Sequence, residues 1–586
     1  MNKIYPVLIS IILLLSSSNL LSQDSYCNKQ LADEYLTKKG EVYFSFSVFN
    51  KGDINSFSRI ISIDNVKDFE VFAYANRNEF EEFVKLNIPY YILKHPGDAD
   101  FDVKMSTSPA GIMEWDSYPT YDAYVAMMNQ FAATYPNLCQ IVNIGSTVQG
   151  RSLLMAKIKS NVAAADGRPK FMYTSSIHGD ETTGYVLMLR LINYLLTNYG
   201  TDPKVTNIVN NIEVWINPLA NPDGTYHGGN STVNGAVRYN ANNYDLNRNY
   251  PGVDGPNTAP IQLETQNFMN FTTANGLALS CNFHGGAEVF NYPWDSWVRL
   301  CTDDAWWIRA GRQYADTVHA HAVSGYMTDL VNGITNGYAW YYVRGGRQDY
   351  QCYYRHSREV TIEISATKLL PPANLPAHWE YNYRSFLNYI SKVLYGVSGA
   401  VTDSVTNLPL RSKVYISGFD VDSAEVYSDS LFGKYYRLII QGTYNITFSA
   451  PGYYSKTING VYVKNDSLTT LNVKLHPNTT GIINNCEIPA KFELFQNFPN
   501  PFNPTTRIKF SIPTPLNPPE GGKFGGYVKL AIYDILGRAI TTLVDEQLKP
   551  GTYEIDWDAS AFPSGVYFYR LQAGDYTMTK KGLLIK

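Results

Sequence analysis

The sequence predicts an α/β fold: a mixed sheet sandwiched by helices, preceded by a small α/β domain and followed by two small all-β sandwich domains. Three observations predict it. Between Tyr118 and Tyr395, strand-like runs rich in β-branched and aromatic residues (171–175, 213–217, 277–283 and 359–365) alternate with helical ones, and Tyr185, Leu189, Ile192 and Leu196 recur at helical spacing. Around Val397 the texture changes to short strands (399–401, 413–416, 444–449, 471–475) separated by turn residues. The chain of 586 residues also exceeds what one hydrophobic core organises.

Taken in order, residues 1–22 carry Lys3, an apolar run from Ile4 to Leu15 and a Ser-rich stretch, the layout of a secretory signal peptide. No other segment approaches membrane-spanning length, so the expectation is an exported protein with no transmembrane segment in its mature form. Residues 23–105 form the small α/β domain: Phe80, Phe83 and Leu86 fall at helical spacing, and 90–93 reads as a strand. Gly97–Asp98–Ala99–Asp100 and the stretch 106–111 look like an exposed linker. The central domain spans 118–395 and the first sandwich 396–477. A Thr/Asn/Gly linker at 478–485 precedes the second all-β unit, 488–586, which opens on a Pro/Asn-rich run that cannot be regular sheet.

A charged fraction of 17% with a net charge of −4 offers no basic face for nucleic acid or an acidic membrane surface. Six Cys without a CxxC pair make neither a disulfide scaffold nor a thiolate metal site. Cys301 and Cys352 are one candidate pair, although spacing alone sets no connectivity.

The chemistry lies in the central domain. His178 and Glu181, in His178–Gly179–Asp180–Glu181 between a strand and a helix, are spaced to offer an imidazole nitrogen and a carboxylate to one ion. The same spacing also suits a solvated helix start. His284 closes an apolar strand and is followed by two Gly; it reads as a third ligand or as a core His bonded to a carbonyl. Arg238, Asn247 and Arg248 lie close together in a polar run and suit recognition of a carboxylate by guanidinium forks. In the alternating strand 360–365, Glu363 shares a face with Thr361 and Ser365. All of these fall at strand C-termini or just beyond, where ligand crevices form in open α/β sheets.

With those residues the span from about 118 to 395 resembles the zinc metallocarboxypeptidase family. Further signatures are Asn221–Pro222–Asp223–Gly224, Asp245–Leu246–Asn247–Arg248 and Gly345–Gly346–Arg347–Gln348–Asp349–Tyr350. The resemblance implies one zinc ion on His178, Glu181 and His284, with Glu363 as catalytic base and Arg238 facing the scissile carbonyl. It implies that Asn247 and Arg248 grip the C-terminal carboxylate of a peptide, that Tyr341 swings over the substrate, and that Asp245 orients a zinc-bound His. The unit after 396 looks like the transthyretin-like sandwich of the N/E branch. Asp295 and Gln348 occupy that branch's specificity positions, which implies removal of C-terminal Arg or Lys. Residues 23–105 look instead like the propeptide of the A/B branch, or else a stable accessory domain. Residues 488–586 resemble a type IX secretion sorting domain, which implies the secretion machinery as partner and delivery across the outer membrane to the cell surface or beyond. The alternatives are a hydrolase of peptidoglycan stem peptides on the same fold, and an inactive peptide- or wall-binding protein.

Overall fold

The computed structural model describes residues 28–255, 259–478, 491–513 and 526–586, except 549, 561 and 575. The expected signal peptide at 1–22 and most of the linker after Asn478 lie outside the described residues. No helix among the described residues is long and apolar enough to cross a membrane.

The N-terminal domain is a four-stranded antiparallel sheet of β1 (Glu41–Ser47), β2 (Ser62–Lys67), β3 (Glu70–Asn76) and β4 (Tyr90–Ile92), in the order β2-β3-β1-β4. Helix α1 (Arg77–Val84) starts at a capping box, in which Asn76 accepts from the Glu79 amide and Glu79 accepts from the Asn76 amide. Phe80 and Phe83 of α1 pack on Phe44 of β1, with Phe46 also against Phe83. Leu86, expected on the same face, falls beyond the end of α1 and is exposed, because the helix ends before the next inward position.

The central domain contains α2 (Tyr121–Thr134), β5 (Cys139–Ser146), β6 (Ser152–Ile158), β7 (Lys170–Ser175), α3 (Thr183–Thr197), α4 (Pro203–Asn211) and β8 (Glu213–Asn217). There follow α5 (Leu263–Asn275), β9 (Leu279–His284), β10 (Ala287–Tyr292), α6 (Asp304–His319), β11 (Ile334–Asn336), α7 (Arg347–Arg355), β12 (Arg358–Ser365) and α8 (Leu375–Ser391). Its eight-stranded sheet runs β11-β10-β12-β9-β7-β8-β6-β5. The centre, β12-β9-β7-β8, is parallel; β6, β5 and β10 join antiparallel, so the sheet is mixed as predicted. The hairpin β5–β6 was not evident from sequence pattern, since its exposed edge mixes polar and apolar residues. Alternation along β7 sends Phe171 and Tyr173 to the core shared with α3 and α8. Met172 goes to a second core with Trp215, Phe268 and Tyr350, so helices cover both faces. Strand β12 is correspondingly buried on both faces rather than half-wet, as its alternation alone allowed.

The first sandwich has two four-stranded sheets, one built on Gly396–Asp403 and the other on Lys413–Ile416 and Gly442–Ser449. The chain divides into two compact units, and the second comprises Pro451–Tyr454 with His476–Lys586. That unit holds a three-stranded and a four-stranded antiparallel sheet around Leu494, Phe510, Leu530, Trp557 and Leu571. Cys301 and Cys352 are free thiols; Cys301 donates to the Pro293 carbonyl and Cys352 to that of Glu359.

Phe83→Ala removes a ring shared by Phe44, Phe46 and Phe57 and is expected to cost the N-terminal domain about 3–5 kcal/mol. Hydrogen exchange should show the loss in residues 41–92, with the central sheet unchanged.

Candidate active site

The turn after β7 is held by Ser176, whose hydroxyl donates to the Glu181 carbonyl, and by the Gly179 amide, which donates to the Arg238 carbonyl. This presents His178 and Glu181 beyond the carboxyl end of the parallel strands. His284 is the last residue of β9 and lies opposite Glu363 in the pairing with β12, so one rung of the sheet sets these two side by side. His178 Nδ1 is 2.9 Å from Glu181 Oε1, His284 Nδ1 is 2.9 Å from Glu181 Oε2, and the two Nδ1 atoms are 3.1 Å apart.

These three side chains have the disposition of metal ligands. One donor atom from each lies within 4.8 Å of the others. Glu181 Oε2 is buried with no hydrogen bond despite the neighbouring His284 nitrogen, as expected of lone pairs directed at a common point. His178 Nε2 lies 3.1 Å from Asp245 Oδ1; a proton there leaves Nδ1 as a lone pair. Asn282 faces His284 Nε2 at 2.7 Å, and turning its amide oxygen to that nitrogen fixes the same tautomer. Burial pushes the His284 imidazole down to about 4, which keeps it neutral and able to ligate. Against the opposing effect of burial, the neighbouring His178 and the Lys368 ammonium hold Glu181 well below the usual carboxylate range. Two imidazoles and a carboxylate, with access from a cavity, match the donor set that a catalytic zinc ion takes.

Glu363 borders the same cavity with Oε2 buried and unpartnered among the described residues; burial, then the charge of Glu181, pushes its carboxyl well above the ordinary range. Arg238 is 2% exposed and reaches Glu181 Oε1 at 3.3 Å and Asp245 Oδ2 at 3.1 Å. Asn247 accepts from the Arg347 amide at 2.9 Å, which ties it to the start of α7. Arg248 is anchored to the Asn247 carbonyl. Asp295 Oδ1 accepts from Asn291 and from Gln348 Nε2 at 3.0 Å, and burial, then Asp349, raises its carboxyl well above the usual range. Gly337 is required there, since a Cβ would stand 1.8 Å from Asp295 Oδ1. The residues given site roles from the sequence thus line one cavity, save Asp245 and Gln348, which stand behind it against His178 and Asp295.

The sequence offered a propeptide-like domain at 23–105 as one reading, but not which of its residues enter this cavity. Edge strand β2 of the N-terminal domain lies across it, leaving only about 20 Å³ free. Ile63 accepts on its carbonyl from Arg248 Nη2 at 2.7 Å, and the Asp64 carbonyl accepts from the Tyr341 hydroxyl at 3.1 Å. The Asp64 carboxylate sits 3.1 Å from Arg238 Nη1 and 2.7 Å from Lys368 Nζ. Ser62 donates to Asp245, Tyr74 donates to Asp180, and Glu41 accepts from the backbone amides of Arg238 and Tyr239. Lys368 also went unsignalled, being an isolated cation in a loop after β12; it contacts Glu181 Oε1 at 2.7 Å.

Residues 124–385 match the zinc carboxypeptidase family model. Carboxypeptidase M of Mus musculus is 33% identical over 358 residues, covering 57% of this chain and 79% of that protein. Carboxypeptidase SOL1 of Arabidopsis thaliana is 32% identical over 384 residues, covering 62% and 75%. The chain belongs to the zinc carboxypeptidase family. Carboxypeptidase D of Rattus norvegicus is 34% identical over 374 residues, 61% of this chain but 27% of that relative, so the chain spans about a quarter of the length of such relatives. The solved carboxypeptidase A of Helicoverpa armigera superposes on 60% of this chain and 96% of its own, with a TM-score of 0.47 and 18% identity. Residues 496–586 match the secretion system C-terminal sorting domain model, which indicates export of this family member. The family's ion is zinc, and the His178, Glu181 and His284 donors fit it.

Asp245→Asn removes the acceptor that orients His178, and zinc affinity, measured by chelator competition, should fall about 10- to 100-fold.

Proposed function

We propose that this family member removes C-terminal residues from peptides and proteins, with preference for Arg and Lys. What supports it most is one cavity that combines the two-His, one-Glu donor set, the unpartnered Glu363 oxygen, the Arg238, Asn247 and Arg248 cluster and the buried Asp295.

Bound by His178, Glu181 and His284, zinc supplies a Lewis acid and lowers the pKa of water. Glu363 takes a proton from the attacking water and delivers it to the departing amine, a transfer for which a buried carboxyl of raised affinity is suited. Arg238 donates to the oxygen on which negative charge develops. Arg248 and Asn247 hold the terminal carboxylate, a group present only at a chain end, which restricts cleavage to the last bond. Asp295, oriented by Gln348 and Asn291, pairs with a basic side chain of the departing residue; that contact makes it more acidic and repays its burial. Tyr341 closes over the bound residue.

The N-terminal domain, in this proposal, keeps the enzyme latent. Its β2 strand engages Arg248, Tyr341 and Arg238, the groups a substrate needs. The connection to the central domain offers exposed Lys94 and Lys104. The sorting domain directs the enzyme through its secretion machinery across the outer membrane.

Peptides matched except for a terminal Arg, Lys, Phe or Leu, together with muropeptides, test the activity. Arg and Lys peptides should give the highest kcat/KM, and Glu363→Gln should lower kcat on the order of 10²- to 10⁴-fold. Release from muropeptides alone would assign a stem-peptide hydrolase, and no release at all would leave a binding protein.

Limited trypsin treatment tests latency. Activity should appear in step with cleavage at Lys94 or Lys104, and full activity of the intact chain would refute it.

A further inference from the structure

The path of β2 through the cavity carries information about substrates. From Ile63 to Asn65 the chain touches, in turn, Arg248 through the Ile63 carbonyl, Arg238 and Lys368 through the Asp64 carboxylate, and the Gly286 carbonyl through the Asn65 side-chain Nδ2 at 3.3 Å. A peptide whose terminal carboxylate lies on Arg248 runs the other way along the same groups, from its C-terminus back towards its retained part. The strand therefore traces a peptide's route with reversed polarity, and it presents a mid-chain carbonyl where a substrate presents its end.

Along that route Lys368 is the group that the catalytic roles leave unused. Its side chain is 4% exposed. An ammonium has three donors. Two are met within the central domain, by Glu181 Oε1 at 2.7 Å and the Gly285 carbonyl at 3.0 Å. The third acceptor, Asp64, belongs to the domain that leaves on activation. Its departure leaves one donor and part of a charge without a protein partner, facing the space the strand vacates, beside a guanidinium that loses the same partner. Beyond Asp64, away from the donor set, a cavity of about 290 Å³ is lined by Gly286, Ala366, Thr367 and Lys368 on the central domain and by Tyr43 and Phe72 on the N-terminal one. Removing the N-terminal wall opens this space to the retained part of a peptide.

We propose that Lys368, with Arg238, forms a subsite for an acidic side chain within two residues of the scissile bond on the retained side, and that Asp64 is its internal occupant. The proposal rests on the carboxypeptidase function above. The favoured substrates are chains ending in an acidic residue followed, directly or one residue later, by the basic end.

The test uses the full-length chain nicked at Lys94 or Lys104, loaded with zinc, and peptides ending Asp-Arg, Asp-Ala-Arg, Ala-Ala-Arg and Lys-Ala-Arg. One or both Asp peptides should exceed the Ala peptide about tenfold in kcat/KM, chiefly through KM, and the Lys peptide should fall below it. In Lys368→Met the Asp and Ala peptides should converge, whatever the absolute rate. A parallel measurement needs no turnover: in nicked Glu363→Gln, the Asp peptides should displace the N-terminal fragment at about one tenth of the Ala peptide's concentration. A Lys368 that serves only to support Glu181 would lower bound zinc and slow all peptides alike, with the Asp-to-Ala ratio near one in both measurements; that result overturns the subsite. Absence of cleavage together with a preserved displacement ratio would instead sink the carboxypeptidase reading and leave the acidic subsite standing.

Discussion

Burying a carboxylate costs several kcal/mol unless charges and donors surround it, and Glu181 is buried to 3% exposure at the mouth of the central sheet. Four groups converge on it: His178, His284, Arg238 and Lys368. Each is held from a different element, so that neutralising one acid fixes the relative positions of β7, β9, the polar run at 238–248 and the loop after β12. Any change to Glu181 therefore acts on all four at once. The same convergence explains why Arg238 can be fully buried, since Asp245 and Asp64 complete its share of the charge.

The sheet's topology does the rest. Parallel pairing of β9 with β12 places His284 opposite Glu363, the proposed ligand beside the proposed base, without any loop to position either. Strands cannot slip by one residue without exchanging both faces, and here both faces are packed by helices, so the register is fixed by burial. Sequence showed this part well. The His178–Glu181 spacing, His284 before two Gly, and Glu363 on the polar side of an alternating strand were each weak alone, and they agreed because strand ends converge in such sheets.

What sequence left dark has a common physical cause. Asp64 lies in a short strand whose composition, Ser-Ile-Asp-Asn-Val-Lys, reads as an ordinary exposed edge. Lys368 follows β12 in a loop with no motif. Both acquire meaning only through contacts between segments 304 residues apart in the chain, 64 to 368, and local pattern carries no record of such partners. Leu86 shows the converse: its spacing promised a buried face, but the helix stopped at Val84.

The interface between the N-terminal and central domains is chiefly polar, which suits the release proposed above. Val42, Phe44, Phe46, Phe80 and Phe83 form a core of the N-terminal domain's own, distinct from the core around Tyr173, Leu191 and Ile362. What joins the two is chiefly polar: Asp64 to Arg238 and Lys368, Tyr74 to Asp180, Glu41 to two backbone amides, Glu79 to Tyr239. Buried ion pairs roughly break even against hydration, so such a surface gives specificity and exclusion of substrate at a modest net free energy. An apolar interface of the same extent would hold more tightly, and would leave the catalytic cavity lined with greasy surface once opened. With polar groups at the seam, departure of the strand as proposed would release Arg248, Arg238 and Lys368, the cations that the proposal assigns to a peptide's carboxylates.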